Sequence, residues 1–216
     1  MTDSLPVSFA ARVKGKHVNQ PPANSSPNHA RLYLTGYRGT GKTTVGKILA
    51  GRLGGRCIDL DERIESTAGM SIRDIFEAGG EAAFRDWETR CLRALAGPEG
   101  CDEGGETGVG PIIALGGGAI LREGNRSLIA ESGRCVWLVA SPKTIAERLT
   151  ADATTAARRP SLTGLSPTEE VAEVLQVREP LYRQAADFTV DTEARSPPQI
   201  AEEVLQWWSA ERKRVS

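Results

Sequence analysis

Residues Gly36 to Thr44 read GYRGTGKTT, a complete G-x-x-x-x-G-K-[ST] pattern. Phosphate is the ligand that this pattern suits, provided a strand precedes it and a helix follows. Both are in place: Leu32 and Leu34 alternate before the motif, and Val45, Ile48, Leu49 and Leu53 recur at helical spacing after it. Gly36, Gly39 and Gly41 let the backbone curl so that successive N–H groups face one concavity. The helix adds its unpaired N-terminal donors and the positive end of its dipole. Lys42 can then reach the β- and γ-phosphates, and the Thr43 hydroxyl can ligate Mg²⁺.

Four further groups of residues can do chemistry. Asp59 and Asp61 end a second β-like run, on the edge where ligands of open α/β sheets gather. If the strand continues through them, period-two spacing aims both carboxylates the same way. One can hold Mg²⁺ through water and the other can accept a bond from a substrate hydroxyl. Asp61 also reads as a helix cap before Glu62-Arg63-Ile64. Arg85 lies one position off the apolar stripe of Phe84, Trp87, Cys91 and Leu95, where it can meet a ligand or pair with Glu88 at the surface. Gly116-Gly117-Gly118 follows a third strand and allows backbone to approach a ligand closely, or else forms an unusual turn. Arg158 and Arg159 fall in a long polar stretch, where a swinging arginine can stabilise a transferring phosphoryl and a solvated pair is the plain alternative.

The elements that must position these groups alternate along the chain. Strands are expected at 31–35, 56–60, 111–115, 134–139 and 187–191. Helices are expected at 43–53, 71–78, 80–96, 122–132, 142–150, 168–185 and 198–212, with Ser71 as an N-cap and Gly54-Gly55 and Gly97 as stops. Pro180 should kink or restart the helix that contains it. Five strands separated by helices predict a three-layer α/β/α domain with a five-stranded, mostly parallel sheet. Residues 97–110 are rich in glycine and acid and read as an inserted surface loop. Residues 151–167 are polar and contain proline, as a mobile functional loop would. The first 30 residues hold four prolines, little apolar periodicity and no signal-peptide core, and read as a disordered tail; their few basic residues resemble a transit peptide only faintly.

Composition narrows the function classes. The 216 residues are 39% apolar, enough for one domain with a real core, and no apolar run approaches the length of a membrane span. A net charge of −1 with 5% aromatics and no basic run gives no footprint for nucleic acid or an anionic surface. Cys57, Cys91, Cys101 and Cys135 are widely spaced, without C-x-x-C, and suit a reduced, cytoplasmic compartment.

Taken in order, GYRGTGKTT, D-L-D at 59–61, GGEAAFR at 79–85, LGGGA at 115–119, RRP at 158–160, REPLY at 178–182, and VDT at 190–192 followed by Pro197 resemble the shikimate kinases. The resemblance spans about residues 31 to 210, and the motifs after the phosphate loop are its specific part. It implies the fold of the P-loop nucleoside monophosphate kinases, a mobile lid, and ATP-dependent phosphorylation of the 3-hydroxyl of shikimate on the route to chorismate and aromatic amino acids. It implies ATP on Gly39, Thr40, Gly41, Lys42, Thr43 and Thr44, with Mg²⁺ near Thr43 and Asp59. Asp61 would hold the substrate hydroxyls, with Lys42, Asp61 and Arg159 as the catalytic set. Arg85 and Arg178 would clamp the carboxylate beside the Gly117-Gly118 backbone, and Arg148 and Arg195 would flank adenine. A cytoplasmic monomer acting on small molecules is the family habit. Arg148 and Arg159 stand farther apart than in the family and Ser161 replaces the usual Leu, which implies an enlarged lid and leaves Arg158 as an alternative lid arginine. A kinase of another small polyol acid, such as gluconate, and a non-catalytic nucleotide-binding relative are the other readings.

Overall fold

The computed structural model describes residues 31–98, 100, 110–151 and 166–215. Five strands, β1 (Arg31–Thr35), β2 (Cys57–Asp59), β3 (Ile112–Ala114), β4 (Gly133–Val139) and β5 (Phe188–Asp191), form one sheet in the order β2-β3-β1-β4-β5. Every pairing is parallel, with Leu32 opposite both Ile112 and Arg134, and Leu138 opposite Val190. All five strands therefore end on one edge, and the loops that leave it carry the phosphate motif, the acidic pair and the glycine run.

Among the described residues seven α-helices complete the layers: α1 (Lys42–Leu53), α2 (Leu60–Ala68), α3 (Ile72–Ala96), α4 (Glu123–Ser132), α5 (Pro142–Ala151), α6 (Pro167–Ala185) and α7 (Pro197–Val215). A strand buried on both faces needs apolar residues at successive positions, and β1 is buried throughout. Its Leu32 and Leu34 join Val45 and Leu49 of α1 and Ile200, Val204 and Trp208 of α7 in one core. Tyr33, on the opposite face, joins a second core with Ile64 of α2, Phe84 and Leu92 of α3, Ile129 of α4 and Tyr182 of α6. Burying each such Leu or Ile contributes about 1.5–3 kcal/mol, so the central strand is held from both sides.

Several local expectations are refined. The second strand stops at Asp59, and α2, which is missing from the expected elements although the alternative reading of Asp61 starts a helix there, begins at Leu60. Asp61 consequently sits in a helical first turn and not on an extended strand, so period-two alternation does not set its direction. The cap of α2 is Asp59, whose carboxylate accepts from the N–H groups of Asp61 and Glu62. The two expected helices around Gly79-Gly80 are there, joined end to end at Gly80 with φ +67°. Ser71 is the expected N-cap, and Asp74 completes a capping box with it. One helix runs through Pro180, which lacks the N–H that would bond the carbonyl of Gln176. Residues 1–30, most of 97–110 and nearly all of 151–167 lie outside the described residues, as do Arg158, Arg159 and Ser161.

Candidate active site

The phosphate loop joins the central strand to α1 and is shaped by its glycines. At Gly36 (φ +138°) a Cβ would stand 2.5 Å from the carbonyl oxygen of Leu138, so any side chain would force β4 away. Gly41 caps α1 in the left-handed region at φ +90°, which lets α1 begin directly beneath the loop. Thr40 closes the turn through its hydroxyl, which donates to the Tyr37 carbonyl at 2.8 Å. Lys42 folds over the loop and donates to the carbonyls of Gly36 and Tyr37 at 2.9 and 2.8 Å. Burial pushes its pKa down to about 8, against the opposing pull of Asp61 and Asp59. Both aspartates are thus close enough to act on the ammonium group.

Asp59 faces two ways. One carboxylate oxygen caps α2, and the other accepts from the Thr43 hydroxyl at 2.6 Å. The Thr43 and Asp59 oxygens are hard donors next to a phosphate cradle, the kind of set that holds Mg²⁺ together with phosphate and water. Among the described residues no cluster of three His, Cys, Asp or Glu offers an all-protein metal cage, so substrate oxygens would have to complete the coordination. Thr44, one step along, is exposed on α1.

Gly116, Gly117 and Gly118 gather the remaining groups. A Cβ on Gly116 would lie 2.8 Å from an Asp61 carboxylate oxygen and 2.9 Å from one of Glu88. A Cβ on Gly118 would collide with the Arg85 guanidinium. From the other side, Arg178 donates to the Gly117 carbonyl at 3.2 Å and the Tyr182 hydroxyl donates to the same oxygen. The turn therefore separates two guanidinium groups, one from α3 and one from α6.

Arg85 does pair with Glu88, at 2.9 Å, but both residues are buried, and Glu81 takes the other end of the fork at 2.9 Å. The surface ion pair of the sequence reading is in fact an internal one. Arg148 reaches from α5 to the Gly39 carbonyl (3.5 Å) and to the Thr192 hydroxyl and carbonyl (3.0 and 2.8 Å), which places it where the phosphate loop meets the end of β5. Arg195 lies apart from these groups in its contacts, bonded to the carbonyls of Asp191 and Gln199 and paired with Glu203. Tyr182 and Thr192 stand inside the REPLY and VDT motifs, and Glu88 beside Arg85, but the motifs alone assign none of the three to the site. The spacing Arg85–Glu88 (i, i+3) and Arg178–Tyr182 (i, i+4) is the signal that puts each pair on one helical face.

A phosphate cradle, an acidic pair beside its lysine and an arginine-flanked glycine turn, all on the carboxyl edge of a five-stranded parallel sheet, define a P-loop kinase of the nucleoside monophosphate kinase type. The sequence model of the family "Shikimate kinase" matches residues 38–209. The chain belongs to the shikimate kinase family. It is 50% identical to a shikimate kinase of Rhodopirellula baltica over 83% of this chain and 90% of that one. It is 40% identical to a shikimate kinase of Geobacter sulfurreducens over 83% and 92% of the two chains. A solved shikimate kinase from Acinetobacter baumannii, in complex with shikimate, superposes with a TM-score of 0.73 at 33% identity, covering 84% of this chain and 94% of that one.

Proposed function

We propose that this chain transfers the γ-phosphoryl group of ATP to the 3-hydroxyl of shikimate, giving shikimate 3-phosphate and ADP. The observation that carries the reading is the convergence on one glycine turn of Arg85 from α3 and Arg178 from α6, with Asp61 and Lys42 alongside. A small anionic triol needs a planar donor set for its carboxylate, which guanidinium supplies better than ammonium. Arg85 and Arg178 take that role, with the Gly117-Gly118 backbone as the floor between them. Asp61 accepts the hydroxyl proton or orients the hydroxyl in line with phosphorus; since the transition state is loose, positioning and charge neutralisation carry most of the rate.

ATP lies along Gly39, Thr40, Gly41, Lys42, Thr43 and Thr44. Lys42 moves its donors from the Gly36 and Tyr37 carbonyls to the β- and γ-phosphates. Thr43 and Asp59 would hold Mg²⁺, which would supply neutralisation of phosphate charge. Arg148 borders the nucleotide beside Gly39, and Arg195 steadies the turn after β5 from a position that must shift to reach adenine. Arg159, in the lid, reaches the γ-phosphate, with Arg158 as the alternative. The chain works as a cytoplasmic monomer, a state that sedimentation velocity checks and a dimer mass would refute. The free cysteines Cys57, Cys91 and Cys135 suit a reduced compartment.

The test is coupled ADP release from MgATP with and without shikimate, gluconate as the competing acceptor, and Asp61→Asn as the matched variant. Turnover that requires shikimate and collapses in the variant is the expected result. Preference for gluconate, or ATP hydrolysis indifferent to either acid, would refute the assignment.

A further inference from the structure

We infer that Tyr182 is a positioning residue for the acceptor pocket, acting through the Gly117 carbonyl and not by touching the substrate. The inference deepens the reading of the site given above and rests on it. Arg178 and Tyr182 are one helical turn apart on α6, so both side chains leave the same face. They converge on one oxygen: Arg178 donates at 3.2 Å and the Tyr182 hydroxyl donates as well, which occupies both lone pairs of the Gly117 carbonyl. Glycine has the widest choice of backbone angles, and three in a row leave this turn little intrinsic preference. Two donors from a rigid helix remove that freedom.

The consequence reaches across the peptide plane. A trans peptide points its N–H opposite to its carbonyl, so fixing the Gly117 carbonyl toward α6 directs the Gly118 N–H away from it. Gly118 is the residue packed against the Arg85 guanidinium with no room for a Cβ. The Tyr182 hydroxyl thereby sets the relation between the two arginines, although it belongs to neither. Its own place is firm: the side chain is fully buried, and its ring stacks on Trp137 of β4 with centroids 5.8 Å apart and planes 21° from parallel. Burial pushes its pKa up to about 12, against the pull of Arg178, so the hydroxyl stays a donor throughout the working range. It has no part in proton transfer.

Tyr182→Phe removes the donor and leaves the ring, the stack and the Arg178 bond, so the carbonyl keeps one partner. The expected result is a rise in KM for shikimate of about threefold to tenfold, the worth of one hydrogen bond, with KM for ATP within twofold of the parent. Shikimate affinity measured directly by calorimetry should fall by the same factor. Tyr182→Leu, which also removes the stack, serves as the structural control and should lower the melting temperature further than Tyr182→Phe does. An unchanged KM and affinity for shikimate in Tyr182→Phe, with a lowered melting temperature, would overturn the inference and make the hydroxyl a packing group only. Equal losses in both substrates' KM values would also overturn it. Failure of the parent protein to turn over shikimate would instead sink the proposed function, so the two failures are separable.

Discussion

Lys42 is held by two carbonyls in a half-buried position, and its pKa of about 8 is the value at which it trades its charge in the nucleotide-free protein. Bound polyphosphate would return the ammonium toward or above its usual 10.5, because opposite charge at hydrogen-bond distance favours the protonated form. ATP binding above pH 8 must then take up a proton. The sign follows directly. Below pH 8 the lysine is already charged and affinity is at its plateau; above it, affinity drops by about tenfold for each pH unit until the pKa of the bound state is reached. At pH 9 the apparent KM for MgATP should therefore be about tenfold above its value at pH 7.5, with KM for shikimate following a different profile. The folded, nucleotide-free protein moves the other way. A lysine whose pKa is lowered by folding costs stability below pH 8, and that cost is relieved as pH rises from about 8 to 10.5. Calorimetric titration of MgADP and MgATP at pH 9 in two buffers of different ionisation enthalpy counts the proton, and Lys42→Arg, whose guanidinium stays charged, should flatten whatever affinity profile remains. A KM for ATP that stays level to pH 9.5, with no buffer-dependent heat, would refute the reasoning.

Gly118→Ala should drive the Arg85 guanidinium out of place and raise KM for shikimate at least about tenfold while KM for ATP holds, on the cost of mis-setting one charged contact; steady-state kinetics in both substrates decide. Glu88→Ala leaves Arg85 with only its exposed partner Glu81 and should cost about 3–5 kcal/mol of stability, read by urea denaturation; a loss under about 1 kcal/mol would contradict an internal ion pair. Asp59→Asn keeps the cap of α2, since Asn caps as well as Asp, but loses the charge next to Thr43. The Mg²⁺ concentration for half-maximal turnover should rise about tenfold to a hundredfold, and an unchanged requirement would separate Asp59 from the metal.

The alternation of apolar pattern and turn residues predicts the layers, the parallel sheet and six of the seven helices among the described residues, within a few residues. Helix α2 surfaces only in the alternative reading of Asp61 as a cap, two residues after the true cap Asp59, because its apolar residues are only Leu60, Ile64 and Ala68, too few to stand out against a polar run. Its start matters to the site, since it moves Asp61 from a strand to a helical turn. The phosphate loop is legible because its geometry is local: three glycines, a lysine and a threonine within nine residues. Arg85 is not, because a charged residue beside an apolar stripe looks the same whether it ends in solvent or against a glycine thirty-three residues away. Contacts between distant segments decide that question, and only the order of motifs, read as a family resemblance, hinted at it.

Arg31 opens the central strand with its guanidinium buried, donating to the carbonyls of Leu95, Gly97 and Ser132. It fastens the end of α3 to the edge of the sheet where strands begin, and β3 starts on that same edge with Ile112 bonded to the Arg56 carbonyl. Gly97 and Ile112 therefore both stand at the far side of a sheet roughly 15 Å deep from the phosphate loop. That junction is a natural attachment point. A fluorophore, an affinity handle or a surface tether joined at the exposed Pro98 would stand at the edge opposite the one where both substrates come and go.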